Sequence, residues 1–217
     1  MGRGDAIFLY SRTPNMAIPW AEAGYRCFCV DTAHSIRRER VEGNIHFVWG
    51  DARVWRPPHG VRPLFVAAFP PCTETAVCGA RDFLTKGGMM LRDALETFES
   101  ARQVCAWSGA PYCIEQPITM LVSVPHIGKP DFYFNPNEYA GYSDDPQADA
   151  YTKKTAIWCG NDFVIPPARP VTPDLGSRMH MMPPSDDRAD LRAVTPMGFS
   201  RAVFQANAPH LRERTAA

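Results

Sequence analysis

No apolar run in this sequence approaches the length that a membrane span requires. Neither sign of charge is in excess: 23 basic residues stand against 23 acidic ones. Proteins that grip long duplex DNA usually carry a basic surplus, because phosphate contacts dominate their affinity. Neutrality therefore argues against strong non-specific DNA binding. There is no internal repeat and no linker-like stretch. The opening Met1-Gly2-Arg3-Gly4-Asp5 leads straight into an apolar segment and lacks the layout of a secretion signal. A disulfide framework is missing too. The seven cysteines are odd in number and scattered, which fits reduced thiols in a cytoplasm. No metal set is expected. Cys27 and Cys29 fall within one strand and are expected to face opposite ways, and Cys72 and Cys78 have no second pair. Asp144, Asp145 and Asp149 match no calcium-loop spacing and read as a solvated loop.

What remains is an ordinary globular composition. The 217 residues are 45% hydrophobic and 21% charged, enough chain for one domain with a real core. The 21 prolines gather after residue 110 and predict a loop-rich second half. Short apolar runs alternate with helical patterns, so the expected fold is α/β, Rossmann-like, with a mostly parallel sheet flanked by helices. Ala6 to Tyr10, Tyr25 to Val30, Asn44 to Trp49, Leu64 to Phe69 and Tyr112 to Ile114 read as strands, with another at Ala156 to Cys159. Thr13, Pro14 and Gly24 frame a helix, in which Pro19 predicts a kink or a late start. The run Arg37 to Arg40 reads as a solvated helix face. Leu91, Ala94, Leu95, Phe98, Ala101 and Cys105 recur at helical spacing and predict a packing helix. Phe199 to Asn207 predicts a last helix, ended before Pro209.

The chain is organised around Pro70-Pro71-Cys72. Two prolines end an apolar strand, and a thiol follows at once. Open α/β sheets place ligands at the carboxyl ends of their strands, so Cys72 is either a functional thiol there or a buried structural one. The polar, glycine-containing stretch Thr73 to Gly88 reads as a lid or as a plain surface loop. The other predicted strands end in Ser11, Asp31, Asp51 and Glu115. In a parallel sheet these groups and Cys72 share one rim. Asp31 either binds a ribose hydroxyl or caps the next turn. Lys153 and Lys154, at a strand entrance, either meet a phosphate or guard a sheet edge.

Phe69-Pro70-Pro71-Cys72 and Ile114-Glu115-Gln116-Pro117 resemble the catalytic pair of DNA cytosine carbon-5 methyltransferases. The whole chain is similar to the small phage- and prophage-associated members of that family. The phrases that carry the likeness stand in order. They are Pro70-Pro71-Cys72-Thr73 with Gly79-Ala80-Arg81-Asp82-Phe83, Thr152-Lys153-Lys154-Thr155 with Trp158, and His180-Met181-Met182-Pro183-Pro184-Ser185. Asp187-Arg188, then Arg192 to Thr195 before Gly198, complete the set.

The resemblance implies a single methyltransferase-like domain that uses S-adenosylmethionine on cytosine. Cys72 would add to ring carbon 6 and make carbon 5 nucleophilic, while the acid Glu115 relieves charge at ring nitrogen 3. Tyr10, Ser11, Asp31, Asp51 and Pro70 would line the cofactor site. Thr73, Arg81, Gln116, Lys153 and Lys154 would meet the substrate. Tyr10-Ser11-Arg12-Thr13-Pro14 stands where the family usually has a glycine-rich turn, and Gln116 stands where it has asparagine. Neither a Gln-x-Arg-x-Arg motif nor a target-recognition domain is found. The partner implied is DNA or a free cytosine nucleotide. The alternatives are a pyrimidine carbon-5 enzyme with another one-carbon donor, and an inactive descendant that binds nucleic acid or a protein.

Overall fold

The computed structural model describes residues 2–36, 39–77, 83–177 and 188–215. It shows a mixed α/β fold around an eight-stranded, mostly parallel sheet. The strands are β1 (Asp5–Leu9), β2 (Arg26–Asp31), β3 (Arg40–Glu42), β4 (Ile45–Trp49), β5 (Pro63–Ala68), β6 (Tyr112–Pro117), β7 (Phe132–Phe134) and β8 (Thr155–Gly160). Their order across the sheet is β3-β4-β2-β1-β5-β6-β8-β7. The run β4-β2-β1-β5-β6 is parallel throughout. β3 pairs antiparallel with β4, and β8 pairs antiparallel with both β6 and β7. The chain first builds outward from β1 on one side and then returns to build on the other. The topological switch point therefore lies between β1 and β5, where such sheets bind ligands.

Period-two alternation sorts the strand residues into two cores. On one face Ala6, Phe8, Cys27, Cys29, Phe65 and Cys113 pack against α1 (Ile18–Glu22) and a late helix. On the other face Ile7, Leu9, Phe28, Val30, Val66 and Ile114 pack against Phe98, Ala101 and Cys105 of α2 (Phe83–Ser108). Cys27 and Cys29 are thus on one face, not two. Residues two apart in a strand point the same way, and burial pushes both thiols up.

Several local expectations change. Pro19 defers the first helix to Ile18, and Thr13 does not cap it, because an interior proline has no N–H to give and crowds the preceding turn. Arg40 belongs to β3, which meets β4 across a Gly43-Asn44 turn with Gly43 at φ 58°. There its guanidinium lies 4.3 Å from the Phe47 ring centroid, which stabilises an edge rather than a helix face. The stretch from Phe83 to Gly88 is helical rather than loop, with the helix kinked at Gly87 (φ 75°). β7 lies in a stretch read as loop-rich. Three further helices close the described chain: α3 (Arg188–Ala193), α4 (Met197–Asn207) and α5 (Pro209–Thr215). No described helix is long and apolar enough to cross a membrane.

The start of α4 is built close against its neighbours. Gly198 donates its N–H to the buried Asp149 carboxylate at 2.7 Å, and a Cβ there would collide with the Tyr139 carbonyl. Gly198→Ala is expected to destabilise the fold by about 1–3 kcal/mol, lowering Tm by roughly 3–10 °C in calorimetry.

Candidate active site

Because five consecutive strands run parallel, their carboxyl ends share a rim in the order Asp51, Asp31, Ser11, Cys72, Glu115. Strands sit about 4.8 Å apart, so the rim spans roughly 19 Å. Glu115 lies in β6 and Cys72 in the turn four residues past the end of β5, the adjacent strand, which is in register with β6 through Ala68 and Ile114.

The proline turn is held by backbone bonds. Cys72 O accepts from Thr75 N at 3.0 Å and from Ala76 N at 2.8 Å. Val77 N donates to Ile118 O at 3.0 Å, and Met120 N to Thr75 O at 2.9 Å. The stretch behind the thiol is therefore tied to the chain after β6 as far as Val77. Cys72 itself is half-buried and Thr73 is exposed beside it. Gln116 is almost fully buried, and its Nε2 donates to Pro70 O. That places Gln116 as a tie between β6 and the Cys72 turn rather than as an open contact surface. Its Oε1 is buried without a hydrogen-bond partner among the described residues.

Glu115 is buried, and burial raises its carboxyl above the ordinary carboxylate range. Two neighbours oppose that rise. Lys153 Nζ stands 4.0 Å from Oε1, and Thr195 Oγ1 donates to Oε2 at 3.3 Å. Desolvation is the largest of the three, so the net shift is upward. Lys153 also donates to Arg192 O at 2.8 Å, and Asn15 Nδ2 donates to Thr195 O at 2.9 Å. The acid is thus enclosed by the segment after β1, the entrance to β8 and the segment between α3 and α4. Thr195 was not expected at the site. The Arg192-to-Thr195 phrase was the signal for it. Lys154 turns elsewhere, with Nζ 4.8 Å from the Tyr133 ring centroid. Arg81 and the Gly79-to-Asp82 phrase lie outside the described residues, as does His180 to Asp187.

The other half of the rim is differently occupied. Tyr10 adopts φ 55°, the left-handed conformation that a glycine would take without cost. Its hydroxyl lies 3.1 Å from Ser100 Oγ and donates to Thr97 O at 3.2 Å, which anchors the turn to α2. Burial raises the Tyr10 hydroxyl, and the charges of Asp51, Arg53 and Asp31 all act on it. Ser11 is buried, with Oγ donating to Thr13 O at 3.0 Å. Asp31 accepts from Ala33 N at 2.7 Å, so it does cap the following turn. Asp51 is gripped by Arg53 through Nε and Nη2, with contacts of 2.6–3.0 Å, and Arg53 holds it below its ordinary value.

Two shallow clefts of about 470 and 450 Å³ open beside Pro63, at the opposite, amino-terminal end of β5. They carry none of the groups above. The chemistry-bearing side chains lie on the carboxyl rim, where the fold places ligands. Among the described residues no three His, Cys, Asp or Glu side chains converge on a metal position. Comparison with protein-family models and with curated proteins returns no match to this chain.

Proposed function

We propose that this chain is a methyltransferase of the class I type that modifies carbon 5 of cytosine through a covalent Cys72 adduct. One observation carries the reading. A half-buried thiol in the turn after β5 and a buried acid of β6 whose carboxyl is raised follow adjacent parallel strands, and Gln116 ties that turn to β6. The sheet supports it as well. An antiparallel strand, β8, separates β6 from the edge strand β7, as in the class I methyltransferase type.

In this mechanism Cys72 Sγ adds to ring carbon 6. Glu115, whose carboxyl burial raises, donates in its protonated form a hydrogen bond to ring nitrogen 3 and stabilises the charge that develops there. Carbon 5 thereby becomes the nucleophile. Its proton later leaves, and elimination releases Cys72. S-adenosylmethionine, when bound, supplies the methyl group. Asp31 and Asp51 suit its ribose and adenine, and the Tyr10 turn lies beside the switch point. Asp31→Ala is expected to weaken S-adenosylmethionine binding roughly 10- to 100-fold in calorimetry, the worth of a charged hydrogen bond of about 1.5–3 kcal/mol. It should leave donor-independent addition of Cys72 unchanged.

The Arg53 clasp on Asp51 favours a second reading. In it the Cys72 and Glu115 chemistry serves another one-carbon donor or a free nucleotide, or the two residues remain in an inactive descendant that binds nucleic acid or a protein partner. Mass spectrometry of the intact protein, trapped with 5-fluoro-dCMP or fluorocytosine DNA with and without S-adenosylmethionine, separates these. Fluorine blocks the elimination, so an adduct carrying an extra methyl group is expected. An adduct confined to the free nucleotide moves the function to precursor metabolism. No adduct with either substrate overturns the enzyme reading.

A further inference from the structure

A pair of thiols lies one step in from the Glu115 end of the rim, on β6 and β8. Cys113 of β6 and Cys159 of β8 are direct partners in the antiparallel register. Their backbones turn away from each other. Cys159 N donates to Asp131 Oδ2, on the β7 side, at 2.7 Å. Two residues before Cys113, Pro111 O accepts from Val66 N of β5 at 3.1 Å, and strand alternation gives Cys113 that same orientation. The two cysteines therefore form a non-hydrogen-bonded pair, the narrow kind, in which Cα atoms lie about 4.5 Å apart and side chains are closest. Both side chains belong to the same core layer, Cys113 buried and Cys159 half-buried.

We infer that Cys113 and Cys159 form an oxidisable cross-strand dithiol, a site where a disulfide joins β6 to β8. The narrow pair falls within the Cα separations that disulfides span, roughly 4.4–6.8 Å, so the bond can close without moving either strand. With hydrogen peroxide as oxidant the step balances. One thiolate attacks a peroxide oxygen, breaking the O–O bond and giving a sulfenic acid and hydroxide, which becomes water with the proton that the thiol had released. The second thiol then displaces that oxygen as another water, forming the S–S bond. Glu115 follows Cys113 by two residues on the same face, and Lys153 precedes β8. The bond therefore stiffens the strand pair that carries the acid and its cation. The inference does not depend on the proposed methyl transfer.

The surroundings make the pair slow. Burial and the neighbouring Asp131 carboxylate push Cys159 up to about 12, and burial pushes Cys113 well above the ordinary thiol value. Glu115 lies on the same face as this pair, while Cys105 and Tyr112, in the opposite core layer, act on it electrostatically through the sheet. Thiolate is the reacting form, so oxidation should quicken about tenfold per pH unit between roughly pH 7 and 9.

The test uses the full chain in a Cys72→Ser background, which removes a competing half-exposed thiol. After peroxide treatment at several pH values, free thiols are alkylated and the unreduced digest is mapped. The expected product is the Cys113 peptide linked to the Cys159 peptide, lighter by two hydrogens and restored by dithiothreitol. Its rate should rise with pH, and Asp131→Asn should speed it. Cys159→Ser should abolish it without a substitute link. Full alkylation of both thiols at the highest pH, or a bond from Cys113 to Cys105 instead, overturns the inference.

Discussion

Replacing Cys72 by serine is expected to remove the fluorocytosine adduct entirely and to cut turnover by at least about a thousandfold. A serine hydroxyl is a far weaker nucleophile than a thiol at neutral pH and needs a dedicated base to match it. The fold should not notice the change. Bonds that do not use the thiol hold this turn: Thr75 N and Ala76 N donate to Cys72 O, and the Gln116 side chain donates to Pro70 O. The thiol is half-buried and outside both apolar cores. The stability change should therefore stay within about 0.5 kcal/mol, so an unaltered melting curve accompanies the lost adduct. That contrast separates chemistry from structure. A variant that melts normally and still turns over cytosine would end the covalent mechanism.

Much of this arrangement was legible in the sequence, because parallel strands bury both faces and read as unbroken apolar runs. Leu64 to Phe69 and Ala6 to Tyr10 are such runs, and each lies within a residue or two of β5 and β1. Once those strands are parallel, the groups that follow them must share a rim, and Asp51, Asp31, Ser11, Cys72 and Glu115 do. What escaped was either short or non-local. β7 has three residues, too few for a period to show. β3 is held by its Gly43 turn and its neighbour rather than by its own composition. The enclosure of Glu115 joins residues 15, 153 and 195, and no local pattern encodes such a meeting. Asp31 and Asp51 show the converse limit. Their positions follow from the strands, but their present bonds go to Ala33 and Arg53.

Glu115→Gln should reduce adduct formation by about two to four orders of magnitude, the usual worth of a positioned acid, while keeping the side chain's shape. The pH dependence identifies the cause. Burial raises the Glu115 carboxyl from its ordinary value of 4.5, and the protonated form is the acid. Adduct formation in the unaltered protein should therefore fall as pH rises through that raised value, and the amide variant should lack this limb. Stability carries the same sign. Between about 4.5 and the raised folded value the folded state holds a proton that the unfolded chain has released, so folding is favoured toward low pH. That advantage is lost as pH rises from about 4.5 through the folded value. Urea denaturation at a series of pH values should show this decline in the unaltered protein and a flatter profile for Glu115→Gln. Lys153→Met supplies the opposing control. Lys153 lowers the Glu115 carboxyl, so its removal moves the activity limb to higher pH instead of erasing it. A limb that survives unchanged in Glu115→Gln would assign the acid to another residue, because no proton remains at position 115 to titrate.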